Sequence, residues 1–414
     1  MHKAVILVGG PSRGTRFRPL SLNVPKPLFP VAGAPIIEHH LSALAKIDNL
    51  KEVLIIGFFE DNVFANFIDH AAVEYPNINV RYLREYQALG TAGGIYHFRD
   101  EILRGNPTSF FVIHADIACD FPLQGMLDAH SKHRGLCTLL GTKVPREQAN
   151  KFGCLIARPE TNEVMHYVEK PESFISDLIS CGVYLFDSAV FSEIKAALDN
   201  KKNAHEENDY LWSAPDDRLR LEQDLLRPLS EGKKLYVFET QNFWRQIKTA
   251  GSAVPANAAY LEKYAAGAPE RLARKKEGSP DIVGAVYIHP SAQVDPSAKI
   301  GPNVSIGPRA VIGKGTEGLR LALAVHLIDI LSMQAGSCIL HAVVGWDSRI
   351  GTWARVEGSP VQGHSTTVTR NGVKSQSITI LGKEVSVKDE IIIRNCIVLP
   401  HKELKASFHN EILM

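Results

Sequence analysis

Five aliphatic residues stand six apart near the end of the chain: Ile288, Val294, Ile300, Ile306 and Ile312. The same phase returns at Val344, Ile350 and Val356, and again at Leu381, Val387, Ile393 and Leu399. Short segments such as HPSAQ, DPSAK, GPNVS and GPRAV separate the first of them. An ordinary sandwich of scattered strands would not hold a period of six. A hexapeptide period predicts a left-handed parallel β-helix in which each repeat forms one flat side and turns its aliphatic residue inward. One rung cannot bury its own face, so several must stack. Two stretches leave the phase. The apolar run within 316–337 has no sixfold spacing, and the polar segment 362–377 reads as a loop pushed out of the coil.

The first part of the chain carries a different pattern. Continuous apolar runs at 3–8, 52–57 and 109–115, with a shorter one at 79–83, predict buried strands. Helical spacing at 35–47, 62–72 and 93–103 predicts the helices between them. Strands apolar on both faces imply a parallel sheet covered by helices. The fold class is α/β, a doubly wound Rossmann-like domain that binds ligands at the carboxyl ends of its strands, followed by the C-terminal β-helix. The segment 265–279 is rich in Ala, Gly, Lys and Arg. It places the domains at 1–264 and 285–414, with a linker over 265–284.

The totals narrow the function. A net charge of +1 gives no basic excess for phosphates along a nucleic acid, so no nucleic-acid partner is expected. No run reaches the roughly 18 apolar residues of a membrane span, and the start lacks the flanks of a signal peptide. The six cysteines form no CxxC pair and read as reduced, mostly buried thiols, with the cytoplasm as default compartment.

The densest chemistry lies at the start, in VILVGGPSRGTRFRPLSLNVPKPLFPVAG. Glycines at 9, 10 and 14 let backbone N–H groups approach a phosphate closely. Arg16 can fork two bonds onto phosphate oxygens and Lys26 adds a point charge. A turn bearing solvated basic residues is the bland alternative for a bare Gly-Gly, but the whole string outweighs it.

That string resembles the signature of the sugar-1-phosphate nucleotidyltransferases, and within them the eukaryotic GDP-mannose pyrophosphorylases, which join such a domain to a hexapeptide β-helix. The resemblance covers essentially the whole chain. It implies phosphate binding, including GTP phosphates, by Gly9, Gly10, Gly14, Thr15 and Arg16, with Lys26 in the P-K-P element. The string QALGTAGG at 87–94 resembles the segment that reads the nucleobase, which implies that role for Gln87, Gly90, Thr91, Ala92 and Gly93. Asp116 resembles the aspartate that ligates the catalytic Mg²⁺. Phe152 with Gly153 and the string VEKP at 168–171 resemble the sugar pocket, with Glu169 on mannose hydroxyls and Lys170 on the sugar phosphate. Ser180 stands where the family more often has Asn, and would be a further sugar contact.

Two departures bear on catalysis. Active members resemble G-G-x-G-T-R, whereas Pro11, Ser12 and Arg13 make this loop two residues longer. A misplacement of about 1 Å can cost roughly 100-fold in rate. Active members also resemble F-W-x-D-(I/V)-G, whereas Gln246 and Lys248 stand in FWRQIKTAG, and no Asp or Glu occurs between Gln241 and Tyr260. Mg²⁺ prefers anionic oxygens, so an amide at the second ligand position leaves magnesium weakly held. The resemblance then implies a regulatory, alpha-type member that binds GDP-mannose, self-associates and restrains a catalytic beta subunit when product is plentiful. A working mannose-1-phosphate guanylyltransferase is the alternative. A noncatalytic subunit of the translation factor that exchanges guanine nucleotides is a weaker one.

Overall fold

The structure, a computed structural model, describes all residues except 11–14, 134, 207–217, 316–324, 328–330, 360–366 and 371–372, and leaves undescribed the side chains of 202–206, 325–327, 367–370 and 373–376. By contacts the chain divides into two compact units. The first is Met1–Arg13 with His39–Trp244, and the second is Gly14–Glu38 with Arg245–Met414. The expected boundary after residue 264 falls inside a helix, Ala253–Gly267, whose residues count with the second unit.

The first unit is built on nine strands. In chain order they are β1 His2–Gly9, β2 Leu50–Gly57, β3 Asn79–Arg84, β4 Ser109–His114, β5 Cys137–Lys143, β6 Gly153–Ala157, β7 Val164–Glu169, β8 Leu178–Asp187 and β9 Leu235–Glu239. They form one sheet in the order β7-β6-β8-β4-β1-β2-β3, with β5 pairing β8 and β9. The run β4-β1-β2-β3 is parallel, as the uninterrupted apolar strands predict. Residues 4–6 of β1 and 110–113 of β4 are fully buried, so these strands lose their polar alternation. Beyond β4 the sheet turns antiparallel, with Val183 opposite Ile113 and Glu169 opposite Gly153, except that β5 and β9 pair in parallel. The helix expected over 93–103 is two helices, Thr91–His97 and Arg99–Leu103, parted at Phe98. The Phe98 N–H closes the first of them on the carbonyls of Gly94 and Tyr96.

The second unit is a stack of parallel strands two or three residues long, arranged in ladders of seven, six and four. Val286–Ile288 pairs with Val304–Ile306, eighteen residues on, which is three hexapeptides per turn of the chain. Two side chains of a repeat point inward: its aliphatic residue and the residue two before it, which in the two-residue strands lies just ahead of the strand. Ala298 and Ile300, Val304 and Ile306, and Ala310 and Ile312 are all buried in one core. Corners fall on residues with left-handed backbone, six apart at His341, Asp347 and Trp353. The step is not constant. It widens to twenty-one residues from Val304 to Val325, so Val325–Leu327 takes a ladder place inside the run that lacked a sixfold phase. It then shortens to seventeen. That shortening shifts the last phased position, because Val398 pairs with Leu381 and is fully buried while Leu399 is only half-buried. The segment read as a loop over 362–377 contains an antiparallel hairpin, Thr367–Arg370 with Val373–Gln376.

Gly14–Glu38 packs within this second unit. Phe29 meets Phe17 and Trp346 edge-on, with ring centroids 5.0 and 6.1 Å apart. Gly33, at φ +84°, lies so close to Tyr287 that a Cβ would fall 2.3 Å from the ring. Asn257 is fully buried and ties three segments together. Its Oδ1 accepts from the Ala32 N–H (2.9 Å) and the Ser305 hydroxyl (2.7 Å), and its Nδ2 donates to the Asn303 carbonyl (3.0 Å).

Candidate sugar-nucleotide site

The expected phosphate and metal residues of the first unit gather where parallel strands end. Gly9 closes β1 with φ +69°, and its carbonyl accepts from the Phe58 N–H at 2.7 Å. At Gly10 a Cβ would sit 2.6 Å from the Phe58 Cβ, so only glycine keeps the chain this close to the next strand's exit. Asp116 follows β4 by two residues, half-exposed, in a turn begun by the Ala115 N–H on the Leu7 carbonyl (3.0 Å). Gly14 and the lengthened loop at 11–13 lie outside the described residues. Thr15, Arg16 and Lys26 belong to the second unit; Thr15 and Arg16 are exposed in a short 3₁₀ turn, and Lys26 opens another. Gln246 closes the strand Trp244–Gln246, half-buried, where the chain passes into the second unit. Among the described residues, no group of three or more His, Cys, Asp or Glu side chains is placed to hold a metal ion.

The segment expected to read a nucleobase, 87–93, opens the helix Thr91–His97. Gly90 has φ +80°, and a Cβ there would fall 2.3 Å from the Leu219 carbonyl oxygen. That oxygen accepts from the Ala92 and Gly93 N–H groups (3.0 and 3.2 Å), while the Leu219 N–H donates to Leu89 (2.8 Å). The Thr91 hydroxyl accepts from the Leu221 N–H at 2.8 Å. This reciprocal clamp fixes the segment and satisfies the helix's first donors, leaving Gln87 exposed beside it. The sequence reading did not anticipate Leu219, because its contribution is purely backbone.

The residues expected to contact a sugar sit on the antiparallel side of the sheet. Glu169 ends β7 opposite Gly153 of β6. Its Oε2 accepts from the Tyr167 hydroxyl at 2.8 Å, and its Oε1 is paired with the Lys170 ammonium. Lys170 takes φ +47° and is otherwise exposed. Ser180 is buried, and its hydroxyl donates to the Tyr184 hydroxyl at 3.5 Å, beside a bulge in β8 at Gly182. Burial pushes the Tyr184 phenol well up. The Trp244 indole N–H caps the bulge on the Cys181 carbonyl (2.9 Å), and its ring meets Phe152 edge-on. Tyr167 escaped the sequence reading, although its place two residues before Glu169 on a strand puts both on one face. All six cysteines are free and buried.

This arrangement, glycine turns at the ends of parallel strands beside an antiparallel flank that carries Tyr167, Glu169 and Ser180, is that of an α/β fold of the nucleotide-binding type. Residues 3–261 match the nucleotidyl transferase family, and the chain belongs to that family. Residues 282–413 match the GMPPB C-terminal domain. The chain is 50% identical to the mannose-1-phosphate guanylyltransferase regulatory subunit alpha of Xenopus tropicalis, covering all of both chains. It is 48% identical, again over both full lengths, to a protein of Schizosaccharomyces pombe named as a probable mannose-1-phosphate guanyltransferase. A solved UDP-glucose pyrophosphorylase complexed with UDP-glucose shares the fold at 22% identity and a TM-score of 0.50, over 64% of this chain and 99% of that one. No helix among the described residues is long and apolar enough to cross a membrane.

Proposed function

We propose that this chain is a regulatory subunit of GDP-mannose synthesis: it binds GDP-mannose in the site above and restrains a catalytic beta subunit. The observation that carries the reading is Gln246, an amide where the family's second metal carboxylate is expected, in a chain that keeps the PKP, LGTAGG and VEKP strings. Asp116 alone would hold Mg²⁺ weakly, because one carboxylate leaves the ion dependent on water and substrate oxygens. Arg16, Lys26 and the Gly9–Gly10 turn would take the phosphates, the 87–93 segment the guanine, and Gly153, Glu169, Lys170 and Ser180 the sugar. The full-length identity to a regulatory subunit alpha supports the same role. Restraint of a partner needs two sites and differential contacts between two states. The hairpin within 362–377 is the element we assign to the partner. We further infer that the parallel ladders close as a left-handed β-helix, that the chain self-associates, and that it works in the cytoplasm.

The test is a titration of the purified chain with GDP-mannose, GDP-glucose and UDP-glucose, beside an assay of GDP-mannose formation from GTP, mannose-1-phosphate and Mg²⁺. Selective GDP-mannose binding without turnover supports the proposal; robust turnover by the lone chain overturns it. The second reading, a working mannose-1-phosphate guanylyltransferase, is favoured by the name of the Schizosaccharomyces pombe relative.

A further inference from the structure

The carboxylate of Glu169 is held from both sides before any ligand arrives. Tyr167, 4% exposed, donates its hydroxyl to Oε2 at 2.8 Å, and Lys170 pairs with Oε1. A carboxylate's terminal torsion is broad when nothing holds it, so these two contacts set the plane of the group. Each oxygen keeps a further lone pair, and an ionised carboxylate can only accept. The phenol has its own support. Gly153 lies opposite Glu169 in the β6–β7 register, and a Cβ there would fall 2.2 Å from the Tyr167 hydroxyl and 2.9 Å from Glu169 Oε2. Any side chain at 153 would evict the hydroxyl.

We propose that Tyr167 is the positioning residue for sugar recognition, orienting the Glu169 carboxylate to accept from two neighbouring ring hydroxyls of the bound hexose, and that Gly153 is glycine to admit the phenol. This deepens the sugar-nucleotide reading above and rests on it. Burial raises the Tyr167 phenol's ionisation far above neutral pH, so it remains an O–H donor throughout the working range. A carboxylate fixed in one plane distinguishes hexoses that differ in the direction of a single hydroxyl, whereas a freely turning one follows either. Tyr167 therefore acts on the choice between mannose and its C2 epimer glucose, not on the nucleotide.

The experiment is calorimetric titration of the full chain and its Tyr167→Phe variant with GDP-mannose, GDP-glucose and GDP. Loss of one oriented hydrogen bond corresponds to about tenfold weaker GDP-mannose binding, with the mannose-to-glucose ratio moving towards one and GDP affinity unchanged. Wild-type protein that ignores GDP-mannose overturns the function reading. Wild-type binding with an unaltered ratio in Tyr167→Phe overturns the positioning role alone. A double-mutant cycle separates orientation from packing: if Tyr167 acts through Glu169, adding Tyr167→Phe to Glu169→Gln changes GDP-mannose affinity less than about twofold. Additive losses sink the proposal. Should Tyr167→Phe also lose GDP, Gly153→Ala decides the matter, since it displaces the phenol without deleting it; an unchanged ratio there counts against the proposal.

Discussion

The two units solve strand pairing in opposite ways. In the first, strands of five to ten residues pair across large sequence distances: His2 of β1 lies beside Ser109 of β4 and Leu50 of β2. In the second, ladder strands of two or three residues pair with the next turn of the chain, mostly at steps of seventeen or eighteen, narrowing to fifteen at the last turn and widening at two others. The sheet's register is a global agreement, while each rung's register is local. Change should therefore be absorbed in the ladders and punished in the sheet. The site residues follow this division. Gly9 and Glu169 end long strands of the sheet and Asp116 follows one by two residues, whereas the element assigned to a partner is an excursion from the ladders.

The harshest test of that contrast is one extra residue in the sheet. A glycine inserted between Val112 and Ile113 of β4 reverses the face of every side chain beyond it. Ile113 beyond it is fully buried and His114 is half-buried, on a strand paired with both β1 and β8. The expected outcome is loss of the cooperative unfolding transition in circular dichroism. The ladders already contain such an event, a step of twenty-one at Val304 to Val325, with Val304 and Ile306 still buried. A variant of β4 that unfolds normally would break the comparison.

Next in size is Asn257, where the ladder unit does depend on a single residue. Asn257→Ala strips partners from the Ala32 N–H, the Asn303 carbonyl and the Ser305 hydroxyl, all at a buried position. Leaving buried groups unmade costs about 1–3 kcal/mol each. Relaxation makes about 3 kcal/mol the expected total by denaturant unfolding, and a loss below about 1 kcal/mol would show that the bolt is dispensable.

What the sequence revealed follows the same division. The sixfold phase located eleven of twelve ladder positions, all but Leu399, in one core cluster or packed against it, because each rung repeats the same local chemistry. It failed at Leu399, where a one-residue shortening moved Val398 inward. The parallel strands were legible as apolar runs. The antiparallel turn of the sheet beyond β4 was not, because β6 and β7 mix buried with half-buried residues and show no continuous apolar run. For the site, glycines and charged residues at fixed offsets could be read directly. The Leu219 clamp and the Tyr167 contact depend on which backbones meet, and no periodicity encodes that.

A third effect is a pH dependence confined to the sheet unit. At the amino ends of β1 and β4 a cavity of about 410 Å³ is lined by His2, His130, His133, Ser109 and Asp187, among others. The Gly135 N–H donates to His133 Nδ1 (3.1 Å), so neutral His133 carries its proton on Nε2 and donates to the Thr138 hydroxyl (2.8 Å). That hydroxyl then donates to His130 Nδ1 (2.8 Å). Protonating His133 places an N–H against the Gly135 N–H. Burial, reinforced by the charge of a protonated His130, lowers its ionisation to about 4. The unfolded chain, with the ordinary value near 6.5, binds the proton more readily. The contribution is therefore complete above about pH 6.5 and is lost as pH falls towards 4. Melting temperature should drop across that window in the wild type and less steeply in His133→Gln. Equal slopes would assign the acid sensitivity elsewhere.

The smallest expected effect is the most telling for the ladders. Ala342 pairs with Thr379, thirty-seven residues on, while Ile380 pairs with Ile397 after only seventeen. The difference of twenty matches residues 359–378, whose ends are already joined by the Ser359 N–H on the Ser377 carbonyl (2.8 Å). Their removal leaves Gly358 as a one-residue corner, aligned with His341 above and Asn395 below, both in left-handed backbone that glycine adopts freely. Closing a shorter loop changes the entropy by fractions of a kcal/mol, and among the described residues one buried apolar side chain, Ile378, is given up along with the buried hydroxyl of Ser377. Stability should stay within about 2 kcal/mol of wild type, a cost set mainly by that side chain. On the proposed function, GDP-mannose binding by the trimmed chain is retained while its restraint of a catalytic beta subunit is lost. A trimmed chain that unfolds would show that the excursion is part of the ladder; one that still restrains the partner would return the contact to another face.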